Sequence, residues 1–476
     1  MLKKLRHWLH SLWEPKKELK LKILYLSTTF LSMTMCLVIW RPLKNAVFPK
    51  MIGVHFIPDA KLYSLLFVIP LILIYSLLVD WLRRHHLLYC FTLTYGIVGL
   101  IFAYLLAHPV YGIANTHISP NRWVGWAFYF FMESFDAFFS TTFWAFADSI
   151  NNPKDAKYYY GFIVAGSKIG GIISAGSLYV ILHFVTTESQ FIILPRALVT
   201  GSLFLFAAAF TIYMLIKKVS QDYMHGYEIV YQHERQKKRT RKTVTEFLKS
   251  PIEGLILIIK NPYVLGIFSL VLFYEAIIVI FDYWVALSAD AATKDVGEMT
   301  AFYASYYFLF NLIGLGISIF GTTPLLRIMG PRISLFVFPL LCISMLLLSF
   351  FYPTTIVFFW VLIGLRAFNY ALNHPTREIL YIPTTKDIKY KAKTWTDAFG
   401  TRIAKSFGSA VNVSLKGATP AFALLSSISL SLSFTALWII IVYFLGKTLQ
   451  TALNQQKVIG EEEQESLQLL QQKQQS

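Results

Sequence analysis

Ten charged side chains lie inside or against apolar runs of this chain: Arg41 and Lys44, Glu133 and Asp136, Lys168, Glu275 and Asp282, Arg366, and Arg402 and Lys405. A charge at membrane depth is costly, so it persists where it faces protein or a water-filled path, and it marks a functional site. Six of the ten are cations. Lys and Arg neutralise phosphates, Arg through a planar fork and Lys as a point charge, and neighbouring carboxylates hold such cations in place while no anion is bound. The chemistry on offer is recognition of an anion within the membrane. The competing structural reading is that these charges pair among themselves and pin helices together. Arg41 and Lys44 are one helical turn apart and can share a face; for them the alternative is snorkelling to the headgroups.

Aromatic residues accompany the charges. Phe143, Trp144 and Tyr274 are candidates to stack on a nucleobase, beside Tyr283, Trp284, Tyr303, Tyr306 and Tyr307; the bland reading of each is a helix contact or a ring at the membrane interface. The stretch AGSKIGGIISAG at residues 165–176 places small residues on successive turns, which suits close helix packing. It lacks the GxxxxGK[ST] order of a phosphate loop. Histidines are scattered and no Ser-His-Asp ordering emerges, so catalysis is not expected. Cys36, Cys90 and Cys342 all sit in apolar runs, which supports neither a disulfide framework nor a metal site. No cofactor is expected.

The elements that must position these side chains are membrane helices. The chain has 476 residues, 56% hydrophobic and 14% charged, and soluble domains carry about 25% charged residues. Apolar runs of about 20 residues occur at 22–40, 62–81, 87–107, 124–147, 160–186 and 197–216, and again at 264–287, 299–321, 333–352, 354–373, 395–415 and 420–446. The expected fold is therefore an all-α membrane protein of twelve transmembrane helices in two six-helix bundles, major-facilitator-like. Its expected parts are an N-terminal bundle (1–216), a basic cytoplasmic linker (217–262), a C-terminal bundle (263–446) and a Gln-rich cytoplasmic tail (447–476). The run at 395–415 is the least apolar of the set, and its Asp397, Arg402 and Lys405 must face protein or water if it spans.

The formal net charge of +17 would suit nucleic acid in a soluble chain; here it reports topology, and no nucleic-acid partner is expected. Lysines and arginines crowd the stretch before the first run, the linker (HERQKKRTRK, residues 233–242) and residues 377–393. By the positive-inside rule these are cytoplasmic, as are both termini. The linker run can also attract anionic membrane lipids. The long basic stretch ahead of the first run, with no small-residue cleavage site, reads as the flank of a retained helix.

Residues 373–412, NHPTREILYIPTTKDIKYKAKTWTDAFGTRIAKSFGSAVN, resemble the ATP/ADP translocase family of nucleotide transporters of plastids and intracellular bacteria, whose stretch has the form DPxKEMxYIPLDxxxKxKGKAAIDxxxxRxGKSGG. Pro375, Arg377, Glu378, Tyr381, Pro383, Lys391, Lys393, Asp397, Arg402, Lys405 and Ser406 fall in register. MESFDAFFSTTFWAFADSI, from Met132, is similar to the family's ELWGSxxxSxxFWxFAN and puts Glu133 on the motif glutamate, and Phe143 and Trp144 on the FW pair. RPLKNAVF, from Arg41, is similar to RDxKDxL and puts Lys44 on the motif lysine. YEAIIVIFDYW aligns Asp282 with a functional acid of the seventh span.

The resemblance implies a twelve-span carrier in a bacterial inner membrane, exchanging nucleotides by alternating access, with function depending on Lys44, Glu133, Asp282 and Lys393. Arg41, Lys44, Lys393, Arg402 and Lys405 would meet or surround the phosphates, while Glu133 and Asp282 would hold the cations. The sequence departs from the family at Pro42, Asn45, Ala392, the Trp284-Val285 pair and AKSFG, changes that surround the site and bear on which substrate is carried. A proton-coupled carrier of a non-nucleotide solute stays open beside this reading, with Glu133, Asp136 or Asp282 as its proton site. So does a membrane scaffold acting through its basic linker.

Overall fold

A computed structural model describes residues 17–151, 153–184, 187–220, 223–224, 254–320, 322–385, 388–455 and 458–460. These are almost wholly helical: α1 (Lys17–Ile52), α2 (Ile57–Trp81), α3 (Arg84–Ala107), α4 (Trp123–Ile150), α5 (Pro153–His183), α6 (Thr187–Lys218), α7 (Pro262–Ala292), α8 (Val296–Phe320), α9 (Thr322–Phe351), α10 (Thr355–Phe368), α11 (His374–Leu380), α12 (Thr401–Ser414) and α13 (Pro420–Gln455). Among the described residues, nine helices are long and apolar enough to cross a membrane. The helices α4, α10 and α12 are not in that group. Glu133 and Asp136 interrupt the aromatic run of α4, and α10 and α12 have 14 residues each. The linker run at 233–242 and the tail beyond residue 460 lie outside the described residues.

Two compact units divide the chain. In the first, α1 packs along α4, α5 and α6, and α3 packs on α4 and α6; the unit also takes in Thr293–Asn311, the first half of α8. In the second, α7 is central, packed by α10, α12 and α13, with α9 against α10 and α13; this unit takes in Val54–Leu65 at the start of α2.

The first apolar run ends at residue 40, yet α1 continues to Ile52, through Arg41, Lys44 and two prolines, Pro42 and Pro49. Pro42 has no amide hydrogen, so the carbonyl one turn earlier, on Val38, loses its helical donor. The helix continues because its charges find partners in the first unit, described below. Arg41 and Lys44 thus lie within α1 and not beyond its end. At the other end of α1, buried Lys22 donates to the Ile150 carbonyl at 2.5 Å and to the Tyr223 carbonyl at 2.9 Å, supplying the C-terminal end of α4 with a cation.

In the second unit α12 lies close against α7 because Gly408 has no side chain. A Cβ there would sit 2.7 Å from the Ala276 carbonyl oxygen and 3.1 Å from the Val279 Cβ. Asn412, one turn on, donates to the Val279 carbonyl at 3.3 Å. Between α10 and α12 the chain has wide π turns at Asn369–Asn373, Ile388–Ala392 and Thr396–Gly400, with a non-helical turn after α11 at residues 381–385. Such turns interrupt regular α geometry and recur at functional sites.

Candidate functional site

Three groups of charges stand out. In the first unit α1 offers Arg41 and Lys44, and α4 offers Glu133 and Asp136. Each pair is three residues apart and so presents one helical face. Lys44 Nζ lies 2.9 Å from Glu133 Oε1 and 3.5 Å from Asp136 Oδ2, and Arg41 Nε lies 3.0 Å from Asp136 Oδ1. The four groups form a square in which two cations face two carboxylates. The Lys44 side chain is 10% exposed, and it also lies over the Tyr129 ring, 5.5 Å from its centre. Nearby in the unit, Asn45 donates to the Tyr307 hydroxyl at 3.4 Å, and Lys168 of α5 lies over the Phe310 ring at 5.2 Å.

In the second unit Glu275 and Asp282 stand seven residues apart on α7, two turns along one face. Both Asp282 oxygens accept from Arg366 Nη2 of α10, at 2.6 and 2.7 Å, and Lys61 Nζ of α2 approaches Oδ2 at 3.4 Å. Glu275 pairs at 3.8 Å with Lys405 of α12, whose side chain is 55% exposed. Asp59 pairs with Lys416, and His55 Nδ1 is 3.4 Å from the Tyr283 hydroxyl. Those contacts tie Val54–Leu65 to the second unit.

The third group sits in the irregular stretch. Lys393 Nζ is 2.5 Å from Glu378 Oε2 of α11 and stands over the Tyr381 ring at 5.5 Å. Burial, followed by the Asp397 charge, pushes the Tyr381 phenol above its ordinary range, so the ring under Lys393 is neutral at physiological pH. The buried Tyr263 hydroxyl donates to the Leu380 carbonyl at 2.8 Å and fixes the end of α11. Arg402 lies half-buried on α12.

The structure thus joins Arg41, Lys44 and Glu133 in one group. It places Asp282 in a second and Lys393 in a third. Lys61 was absent from the sequence-level candidates because it sits at the very start of an apolar run. Spacing alone carries no signal that singles it out, since Lys50 lies in the same stretch between the first two apolar runs. Arg366 was recognised as an intramembrane charge, but its bond to Asp282 spans 84 residues of sequence and cannot be read from spacing. Of the aromatic candidates, Phe143 is fully buried and stacks on Phe30 at 4.3 Å. Trp144 meets Phe30 edge-on at 5.5 Å and tilts against Tyr160 at 4.9 Å, and Tyr274 is 7% exposed with its ring edge-on to Phe338. Among the described residues no three His, Cys, Asp or Glu gather as a metal site.

Long apolar helices that carry paired charges define a multi-pass membrane protein, and solved transporters share its fold. A bacterial homologue of the iron transporter ferroportin, in its inward-facing state, is similar at TM-score 0.58 and 14% identity, covering 90% of this chain and 100% of that one. A D-xylose-proton symporter is similar at TM-score 0.57 and 11% identity, covering 89% and 96%. The family is given by sequence: the chain belongs to the TLC ATP/ADP transporter family, whose model matches residues 2–451. Among curated relatives, ADP,ATP carrier protein 3 of Rickettsia prowazekii (strain Madrid E) is 24% identical, covering 77% of this chain and 81% of that protein. Its namesake in Rickettsia felis (strain ATCC VR-1525 / URRWXCal2) is 25% identical with the same coverage.

Proposed function

We propose that this chain is a carrier that exchanges nucleotides, ATP for ADP or related nucleotides, across a bacterial inner membrane, with both termini cytoplasmic. The observation that carries the reading is that Lys44, Glu133, Asp282 and Lys393, the residues singled out by the family resemblance, each hold an opposite charge: Lys44 with Glu133, Asp282 with Arg366, and Lys393 with Glu378. Three carboxylate-held cations give a carrier that is electrically satisfied when empty. Each also offers a cation that a phosphate can take over from its carboxylate, with charge-assisted hydrogen bonds of the same kind.

Arg41, Lys44, Lys393, Arg402 and Lys405 are the proposed phosphate-side residues. Glu133 and Asp282 keep the cations charged and placed, and Phe143, Trp144 and Tyr274 are proposed for the base. Arg366 and Lys61 join the set as the cations that Asp282 holds. The proposed architecture is twelve spans in two six-helix halves, 1–216 and 263–446, joined by the 217–262 linker and followed by the 447–476 tail. Opening to alternate sides would exchange carboxylate partners for phosphate and back.

The test is uptake of labelled ATP into vesicles that hold the purified protein and are preloaded with ADP. Lys44→Ala and Lys393→Ala should abolish uptake while membrane insertion is unchanged. If the unsubstituted protein takes up nothing from a panel of NTPs, NDPs and NAD, the nucleotide assignment is wrong. Cysteine labelling of the two termini from either side checks the topology.

A further inference from the structure

Beyond α13 the chain returns to the charged loop of the second unit. Residues 458–460 lie beside residues 383–385 as a single parallel β rung, Thr384 paired with Ile459. The Ile459 amide donates to the Pro383 carbonyl at 2.7 Å, and the Thr385 amide donates to the Ile459 carbonyl at 3.1 Å. Thr384, Thr385 and Ile388 are buried under this contact. The next residue, Gly460, has φ +97°, and a Cβ on it would fall 2.7 Å from Ile388 Cδ1. Only glycine follows that path without strain.

The clipped loop is the one that separates the partners of the third charge group. Glu378 precedes it and Lys393 follows it, with Tyr381 beneath the Lys393 ammonium. The family match ends at residue 451, so the rung is made by a segment outside the matched region. In sequence, Gly460 is followed by Glu461, Glu462 and Glu463, while the loop leads on to Lys389 and Lys393.

We propose that the carboxyl-terminal segment is an autoinhibitory latch. Residues 458–460 clip the loop and hold Lys393 on Glu378. The proposal rests on the nucleotide-exchange reading. A phosphate that takes Lys393 from Glu378 has to move the loop, and the loop is restrained by two main-chain hydrogen bonds and by buried threonines.

The test uses the full-length protein in vesicles beside two variants: truncation after Gln455, and Ile459→Pro, which removes the amide that bonds Pro383. ATP/ADP exchange rate and hydrogen–deuterium exchange over residues 381–389 are both measured. The truncation and Ile459→Pro should raise transport several-fold and expose the Thr385 amide. Unchanged or slower transport by the truncated and Ile459→Pro proteins, at unaltered thermal stability, overturns the inhibition. Unchanged protection of Thr385 in Ile459→Pro overturns the latch itself. If neither the full-length protein nor any variant carries nucleotide, the nucleotide reading fails and the inhibitory role with it, and the Thr385 amide still decides whether the latch exists.

Discussion

The α1/α4 square and the Asp282 group solve the same electrostatic problem in different ways. The square sets two cations against two carboxylates on two helices, in matching three-residue registers, so Lys44 and Asp136 each touch two partners and keep one when the other is lost. Around Asp282 a single carboxylate holds Arg366 and Lys61 from two different elements. Counting Glu275 and Lys405 as well, that face carries three cations and two acids, a net charge of +1. Redundancy makes the square tolerant of change. Arg366 and Lys61 share the one Asp282 carboxylate, which leaves the group fragile, and the net positive face is biased toward an arriving anion.

The comparison breaks most visibly at Arg366. Arg366→Ala leaves Asp282 with only the longer Lys61 contact, and losing one partner of a buried pair costs about 3–5 kcal/mol; the lower end applies, because both side chains are 23% exposed. A large drop in Tm in detergent should result, together with loss of transport. If Arg366→Ala costs no more than Glu133→Gln, the two regions do not differ as described. Glu133→Gln should cost about 1.5–3 kcal/mol, the range for hydrogen bonds to charged groups, because Asp136 stays 3.5 Å from Lys44. Combining it with Asp136→Asn sharpens the point: the double variant should lose more stability than the two single losses added together, the coupling expected within one network. Lys405→Ala should have the smallest effect, within about 1 kcal/mol in a thermal melt, since its 3.8 Å contact is made by a side chain 55% exposed.

Much of this was legible in the sequence, for identifiable reasons. The three-residue spacing of Arg41 with Lys44, and of Glu133 with Asp136, already puts each pair on one helix face, and the cost of burying such charges made them stand out. What spacing cannot supply is which faces meet. Asp282 was assigned to hold the phosphate-side cations, and in the structure it holds Arg366 and Lys61. Lys393 takes Glu378, only 15 residues away, because the intervening chain folds back on itself. The end of the first helix is not visible in hydropathy, which falls at Arg41, whereas the helix continues to Ile52 by pairing those charges with α4. The π turns around residues 369–400 left no trace in periodicity, since a wide turn merely shifts the phase of a pattern that a polar stretch already blurs.

Position 408 is the thickness gauge of the charged face. With the Ala276 carbonyl 2.7 Å from where a Cβ would stand, the gap between α7 and α12 is narrower than one methyl group. Lys405 is one turn before it and Asn412 one turn after it on the same helix. A single added carbon would wedge both away from Glu275 and the Val279 carbonyl together, so the tolerance of an ionic face is machined by the one residue there with neither charge nor side chain.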